Sequence, residues 1–525
     1  LITRLSRNSD LFILFGRQLY VELWPAFLLT LAHPENITGA VTVTSFRFLR
    51  FIAILGLALG ALGLLGGPSL QAAEKPAKTK NKVEHHIPVV INPDPYPSTY
   101  KPLPSKPTLI THATILTGDG QQLEDADILL EDNVIKAMGK DLTAPAGVTV
   151  VDAKGKWVSP GIIDVHSHLG VYPTPSYAST QDGNEMTSPV TADVWAEHSI
   201  WPQDSGFSRA LAGGVTTLQI LPGSANLIGG RGVTIKNVPS RTVQGMKFPG
   251  APYSLKMACG ENPKRVYGDR KQAPSTLMGD VAGYRKAWIK ASAYRRKWDE
   301  YNAKIARGEE AEAPERDLEL DTLAEVLRGH ILVHTHCYRA DEMAVMIDLS
   351  HEFGYKIAAF HHAAEAYKIA DLLAKEHICA AMWADWWGFK LEAFDGIDEN
   401  IALVHHAGAC AMIHSDSEDG IQRLNQETAK AWAAGNRIGL NISEADAFSW
   451  LTLNPAKSLG IADHTGSLAV GKAADVVIWS GNPFSVYTLA EKVFIDGALL
   501  FDRDQPDLIP QSDFELGQVR RGDQL

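Results

Sequence analysis

Short apolar runs recur along the chain from residue 161, each followed by a stretch of mixed polarity that suits a helix. The runs cover 161–165, 216–221, 254–259, 331–337, 356–361, 377–382 and 410–414. A strand covered on both faces loses its polar alternation and reads as a continuous apolar run. Strands alternating with helices therefore predict a parallel sheet, and about eight such units predict closure into a (β/α)8, TIM-type barrel. Residues 280–328 are instead charged and Ala-rich, and predict an inserted pair of exposed helices.

The texture outside this region is shorter in period. Strands are predicted at 108–117, 127–132, 134–138, 148–152 and 156–158, with turns at Gly118-Asp119-Gly120 and Glu131-Asp132-Asn133. Two more, 474–479 and 492–495, precede the hairpin turn Asp496-Gly497. Strands on both sides of the barrel are expected to meet in one small flanking β-sandwich. The expected domains are thus 108–160 with 466–503 for the sandwich, 161–465 for the barrel and 504–525 for a polar tail.

The N-terminal part reads differently. Residues 74–107 are rich in Pro and Lys, cannot bury a core, and read as a linker. Arg47 and Arg50 precede an apolar run over 51–65, with small residues at Ala72 and Ala73, which is the pattern of a signal peptide over 45–73. The run is shorter than the roughly 20 residues a spanning helix needs, so no stable span is expected in the mature protein. A secreted or periplasmic protein is expected. Residues 1–44 contain no methionine, the first in the chain being Met138. The true start is expected near Val41 or Val43, with 1–44 outside the natural protein.

Composition narrows the partners. The chain has 525 residues, is 45% hydrophobic and carries a net charge of −12, which excludes the basic surface a nucleic-acid partner needs. Its 4 cysteines, Cys259, Cys337, Cys379 and Cys410, show no CxxC spacing, so free, buried thiols are expected. A small molecule or short peptide is the expected substrate, and oligomerisation stays open.

The candidate chemistry lies where the apolar runs end. Ile162-Ile-Asp-Val165 runs into His166-Ser-His168, whose two imidazoles share a strand face. Ile331-Leu-Val333 runs into His334-Thr-His336, Ala358-Ala-Phe360 into His361-His362, and Ala411-Met-Ile413 into His414-Ser-Asp416. Barrel enzymes gather their reactive groups at these C-terminal strand ends. Neutral imidazoles with a carboxylate suit zinc, and zinc lowers the pKa of a bound water to about 7.

These motifs, with Val158-Ser-Pro-Gly161, Gly213-Gly-Val-Thr-Thr217, Gly260-Glu-Asn-Pro-Lys-Arg265 and Ala473-Ala-Asp-Val-Val477, resemble the amidohydrolase superfamily. The likeness is closest to its imidazolonepropionase-like and prolidase-like branch and runs from about 108 to 502. It implies the barrel, the flanking sandwich and a divalent metal centre of one or two ions, zinc foremost. It also implies hydrolysis of an amide, dipeptide or cyclic amide by a metal-activated hydroxide. The alternatives are a cyclic-amide (imidazolone-type) hydrolase or deaminase on the same site, and a secreted barrel that binds metal without catalysis.

The implied ligands are His166, His168, His336, His362 and Asp416. His336 is preferred to His334 because it precedes Cys-Tyr-Arg-Ala-Asp and lies nearer the strand end, and His362 to His361 for its spacing before Ala-Ala-Glu. His361, His405, His406 and His414 read as structural or supporting. Asp416 is expected to ligate metal and to move the proton from water to the leaving nitrogen, the plain alternative being a helix cap. A bridging anion has two candidates, a carboxylated Lys256, which strand parity turns inward, and Glu261. Arg231, in the glycine-rich segment 226–232, is read as a substrate anchor on a tight loop. The aromatic segment 383–389 reads as core or as an apolar substrate wall.

Overall fold

The computed structural model describes residues 88–505 apart from Pro175. The extra segment 1–44, the signal peptide 45–73, the first part of the linker and all but the first two residues of the polar tail lie outside the described residues.

Two eight-stranded sheets organise the described chain. The first takes its strands from both ends of the sequence. β1 (Thr108–Leu116), β2 (Gln122–Glu131), β3 (Val134–Gly139), β4 (Thr149–Asp152) and β5 (Trp157–Pro160) come first. β14 (Val476–Trp479), β15 (Ala490–Ile495) and β16 (Ala498–Asp502) close it. The order is β16-β15-β14-β5-β1-β2-β3, with β4 alongside β1. The antiparallel pair β5–β14, Val158 against Ile478, sews the two ends together. Alternate residues such as Ile110, Ile128, Val158, Val476 and Phe494 form its apolar core.

The second sheet is the barrel. Its strands, adjacent in chain order, are β6 (Ile162–Ser167), β7 (Val215–Ile220), β8 (Ile228–Lys236), β9 (Ser254–Ala258), β10 (Leu332–Cys337), β11 (Ile357–His362), β12 (Cys379–Met382) and β13 (Cys410–Ile413). The sheet curls until its edges meet. The Asp416 amide, just past β13, donates to the His166 carbonyl at 3.0 Å, and the Ser415 amide donates to Asp164 Oδ1 at 3.1 Å.

One strand breaks the parallel pattern. The segment expected as a tight loop is β8, and it runs antiparallel to both β7 and β9. Glycines at 229, 230 and 232 dilute the apolar signal that marks the other strands. They are needed for clearance: Gly230 has φ +116, and a Cβ there would collide with the Val194 carbonyl oxygen.

The helices expected to be exposed are half buried. The helix Leu277–Ala306 buries Tyr284, Ala287, Trp288, Ala291, Tyr294, Trp298 and Tyr301, three or four residues apart on one face. Tyr294 Oη donates to Asp321 Oδ1 at 2.6 Å, tying it to the helix Leu318–Leu327. Fully burying each such aromatic contributes about 1.5–3 kcal/mol, which outweighs the charged composition around it.

The described part of the linker has no helix or strand, yet it is fastened to the barrel and to the terminal sheet. Lys247 Nζ reaches Asp94 Oδ1 at 2.8 Å, Ser98 Oγ donates to the Lys247 carbonyl at 2.6 Å, and Tyr100 Oη donates to Asp496 Oδ2 at 2.5 Å. The cysteines are not free. Cys259 pairs with Cys337 and Cys379 with Cys410, each pair on adjacent strands or strand ends, with Cα atoms 5.3 and 4.4 Å apart. Separations of 78 and 31 residues hide this adjacency in the sequence. No helix among the described residues is long and apolar enough to cross a membrane.

Candidate active site

Parity along β6 turns Asp164, His166 and His168 toward the barrel interior. Asp164 acts as a clamp: its Oδ1 accepts from the amides of His166 (3.2 Å) and Ser415, and its Oδ2 accepts from Ser415 Oγ. It thereby fixes the end of β13 against β6. Burial pushes its carboxyl up to about 7. Nothing in the sequence reading singled it out, although a carboxylate inside an apolar strand was the visible signal.

His166 lies at the centre. Its Nε2 is 3.3 Å from His168 Nε2, 3.3 Å from Lys256 Nζ and 3.6 Å from Asp416 Oδ1. His168 donates from Nδ1 to the Leu221 carbonyl at 2.8 Å, which leaves its Nε2 free to face Asp416 Oδ1 at 3.3 Å. Lys256 Nζ also donates to the Pro222 carbonyl at 3.2 Å. Deeper in the barrel, His166 Nδ1 meets His361 Nδ1 at 3.0 Å, and His361 Nε2 meets His334 Nδ1 at 2.9 Å. His361 is thus the link beneath His166.

Strand alternation alone would send His361 and His362 to opposite faces. His362 has φ 70 and Ala363 φ 36, so the chain leaves β11 at this point and His362 also turns inward. Its Nδ1 is 3.9 Å from Asp416 Oδ2, its amide donates to His414 Nε2 at 3.2 Å, and Trp383 stacks on its ring at 4.3 Å. Asp416 has φ 47 as well. Two candidate ligands therefore occupy left-handed backbone, which costs on the order of 1–3 kcal/mol each and concentrates at functional sites. His336 packs its ring 4.5 Å from that of His362 and 4.6 Å from that of Tyr338.

The electrostatics favour neutral imidazoles beside one anion. Burial, first of all, holds His166, His336, His361 and His362 well below the ordinary imidazole range. It pushes His334 down to about 3, His414 to about 4 and Lys256 to about 7. Burial works upward on Asp416, but the hydrogen bond and charge of His168 outweigh it and hold the carboxyl below its usual range. Both ring nitrogens of His336, and Nδ1 of His362 and His414, are buried without a hydrogen-bond partner. Each such orphan costs about 1–3 kcal/mol unless something accepts its lone pair or proton. His166, His362 and Asp416 present donor atoms close enough to share one ion, as do His166, His361 and His414. The donor set fits a divalent cation of the zinc type.

Two predicted residues stand elsewhere. Gly260, at φ 78, turns the chain out of β9, so Glu261 opens the helix Glu261–Gly268 and its Oε1 lies 4.0 Å from Lys390 Nζ. Arg231 pairs in register with Leu255, while Gly230 pairs with the inward Lys256. Its side chain therefore points outward, donating to Thr322 Oγ1 and the Pro93 carbonyl at 2.9 Å each and stacking 4.0 Å over Trp195. It anchors a helix and the N-terminal segment, not a ligand at the histidines. His405 bonds Trp450 Nε1 at 3.2 Å on the helix Asn400–His406, which ends at His406.

The Amidohydrolase family profile matches residues 157–500. A crystal structure of an amidohydrolase from Thermotoga maritima MSB8 is 36% identical, with a TM-score of 0.69 over 75% of this chain and 100% of that one. Amidohydrolase tasK of Hapsidospora irregularis is 32% identical over 431 residues, 76% of this chain and 43% of its own. Dihydroorotase of Pelobacter propionicus is 33% identical over 105 residues, 20% of this chain and 19% of its own. The chain spans less than half the length of these curated relatives.

Proposed function

The chain belongs to the amidohydrolase family, and from that premise we propose that it hydrolyses a carbon–nitrogen bond in an amide, dipeptide or cyclic amide. The residues that would hold a divalent metal, zinc foremost, are His166, His168, His336, His362 and Asp416, with Lys256 in carboxylated form as the bridge. When bound, the metal supplies a Lewis acid that polarises the substrate carbonyl and makes water more acidic. The observation that carries this reading is the orphaned His336, whose two buried ring nitrogens have no partner although its ring packs 4.5 Å from that of His362, which in turn stands 3.9 Å from Asp416.

The chain's own groups divide the rest of the work. Asp416 accepts the proton of the attacking water and returns it to the leaving nitrogen. His168 donates from Nδ1 to the Leu221 carbonyl, which holds its ring so that the Nε2 lone pair, 3.3 Å from Asp416 Oδ1, would be available as a ligand. Trp383, stacked on His362 and donating from Nε1 to the Ser415 carbonyl at 3.2 Å, closes one wall of the site and excludes water. Phe389 extends that wall outward.

The same reading assigns 161–465 to the catalytic barrel and 108–160 with 466–503 to a flanking sandwich. Export is proposed from the signal pattern over 45–73, and two disulfides support it, because such bonds persist in oxidising compartments. The test is a screen of purified protein against dipeptides, N-acyl amino acids, cyclic amides and amino-purines. Release of a carboxylic acid and an amine supports the reading. Release of ammonia from an amino-purine makes the protein a deaminase. Metal binding with no turnover of any class makes it a binding protein.

A further inference from the structure

A largely buried ammonium beside the histidines lacks a close anion. Lys390, on the loop that follows β12, has a side chain only 22% exposed. Its Nζ donates to Asn262 Oδ1 at 2.7 Å and to Tyr338 Oη at 3.3 Å, both on neutral groups. The nearest carboxylate oxygen among the described residues, Glu261 Oε1, stands 4.0 Å away, beyond hydrogen-bond reach. Lys236 and Lys247, buried elsewhere in the barrel, each hold a carboxylate oxygen at 2.8 Å. An ammonium carries three N–H donors, so Lys390 has one uncommitted. Burial outweighs the attraction of Glu261 and holds its pKa below the ordinary lysine value.

Tyr338 joins this ammonium to the candidate ligands. Its buried ring packs 4.6 Å from that of His336 and 5.5 Å from that of His362. Lys390 Nζ lies 5.1 Å from the centre of the same ring and 5.7 Å from that of Phe389. Tyr338 Oη accepts from Lys390, which leaves its own proton for another acceptor. A charged donor and a neutral one therefore stand side by side, one aromatic ring away from His336. An apolar strip runs out along the same side. Trp383, stacked on His362, meets Trp386 at 5.6 Å and Phe389 at 5.8 Å, and exposure rises from 8% at Trp383 to 42% and 55% at the other two.

We propose that Lys390, with Tyr338 Oη beside it, binds a carboxylate of the substrate, so that the favoured substrates are N-acyl amino acids and dipeptides with a free α-carboxylate. In such compounds the carboxylate is attached to the carbon that bears the scissile nitrogen. A bond held at the histidines therefore brings its carboxylate within reach of a donor pair one ring away. An apolar side chain then lies along Trp383 and Phe389. Hydrogen bonds between ionised groups are stronger than neutral ones, and partial burial shields them from salt. Neutral amides and cyclic amides without a carboxylate forgo this ion pair. The inference rests on the hydrolytic reading for the place of the scissile bond, and it gives Lys390 the anchoring role expected of Arg231. The rival is a tether, in which the bond from Lys390 to Asn262 fastens the loop to the helix Glu261–Gly268 and does nothing for a ligand.

The test uses the full chain loaded with zinc and a panel of N-acetyl amino acids and dipeptides with apolar side chains, each beside its methyl ester. The parent is expected to favour the free acid by about 10–100-fold in kcat/KM, mostly through KM. Lys390→Met should bring that ratio close to one, whereas Lys390→Arg, which keeps the charge, should retain most of it. Lys390→Gln takes the place of Lys390→Met if the latter does not fold. Binding is read separately, as the rise in unfolding temperature that the acid produces beyond its ester. If no pair is cleaved, yet the acids stabilise the parent and not Lys390→Met, the hydrolytic reading fails and the carboxylate site stands. A parent that cleaves acid and ester alike overturns the proposal and leaves the hydrolytic reading intact. So does a Lys390→Met chain that loses rate on both members of a pair with the ratio unchanged, the mark of a tether. Cleavage of neutral amides alone, with no effect of the acids on either quantity, likewise overturns it.

Discussion

Lys236 and Asp416 each lie in a dense buried cluster of polar groups, and the clusters are built in opposite ways. Lys236, at the end of β8, is 3.3 Å from Asp475 and 2.8 Å from Asp496. Tyr100 donates to Asp496, Thr465 Oγ1 donates to Asp475 Oδ2 at 2.9 Å, and the Asp496 amide donates to Asp475 Oδ1 at 2.9 Å. No side-chain atom of that cluster is orphaned. It joins barrel to terminal sheet and asks for nothing more. The histidine cluster leaves ring nitrogens of His334, His336, His362 and His414 without partners. Complete pairing marks a joint, whereas incomplete pairing at comparable burial marks a place that receives a ligand.

The sharpest way to break this contrast is to alter each cluster in turn. Asp416→Asn should lower kcat by about 10²–10⁴-fold, the usual weight of a positioned acid–base group, with an unchanged unfolding temperature. A large stability loss with little loss of kcat would move Asp416 into the structural class. Lys236→Met should do the reverse. It strands two buried carboxylates and should cost about 3–5 kcal/mol in urea unfolding, while kcat per folded molecule stays constant.

Smaller effects sharpen the same line. Arg231→Met removes two hydrogen bonds to a helix and the N-terminal segment, and should cost about 1–3 kcal/mol of stability with KM unchanged. A raised KM at full stability would restore it as a substrate anchor. Phe389→Ala trims an exposed part of the aromatic wall and should raise KM roughly fivefold for substrates with an apolar group, leaving kcat nearly unchanged.

What the sequence disclosed follows from how strongly each feature marks the chain. Seven barrel strands were legible because burial on both faces makes them continuously apolar. β8 was not, because the glycines its crowded position requires erase that signal. His166 and His168 followed from strand parity. The inward turn of His362 did not, because parity fails where φ becomes positive. The disulfides were hidden because barrel neighbours are remote in sequence. The aromatic face of Leu277–Ala306 was visible in its spacing but masked by the Lys and Arg residues around it. The strand position of Arg231 was hidden for the same reason as β8: on a loop its side chain could face the histidines, whereas its register with Leu255 turns it away from them.

The most direct measurement is elemental analysis of the purified full chain, run beside hydrolysis rates for the parent and His336→Ala. The account predicts about one or two zinc-class ions per chain in the parent. It further predicts that bound metal and hydrolysis fall together in His336→Ala, while the fold persists by circular dichroism. A parent chain that hydrolyses its substrate with no bound metal, or a His336→Ala chain that keeps both its metal and its rate, would contradict it.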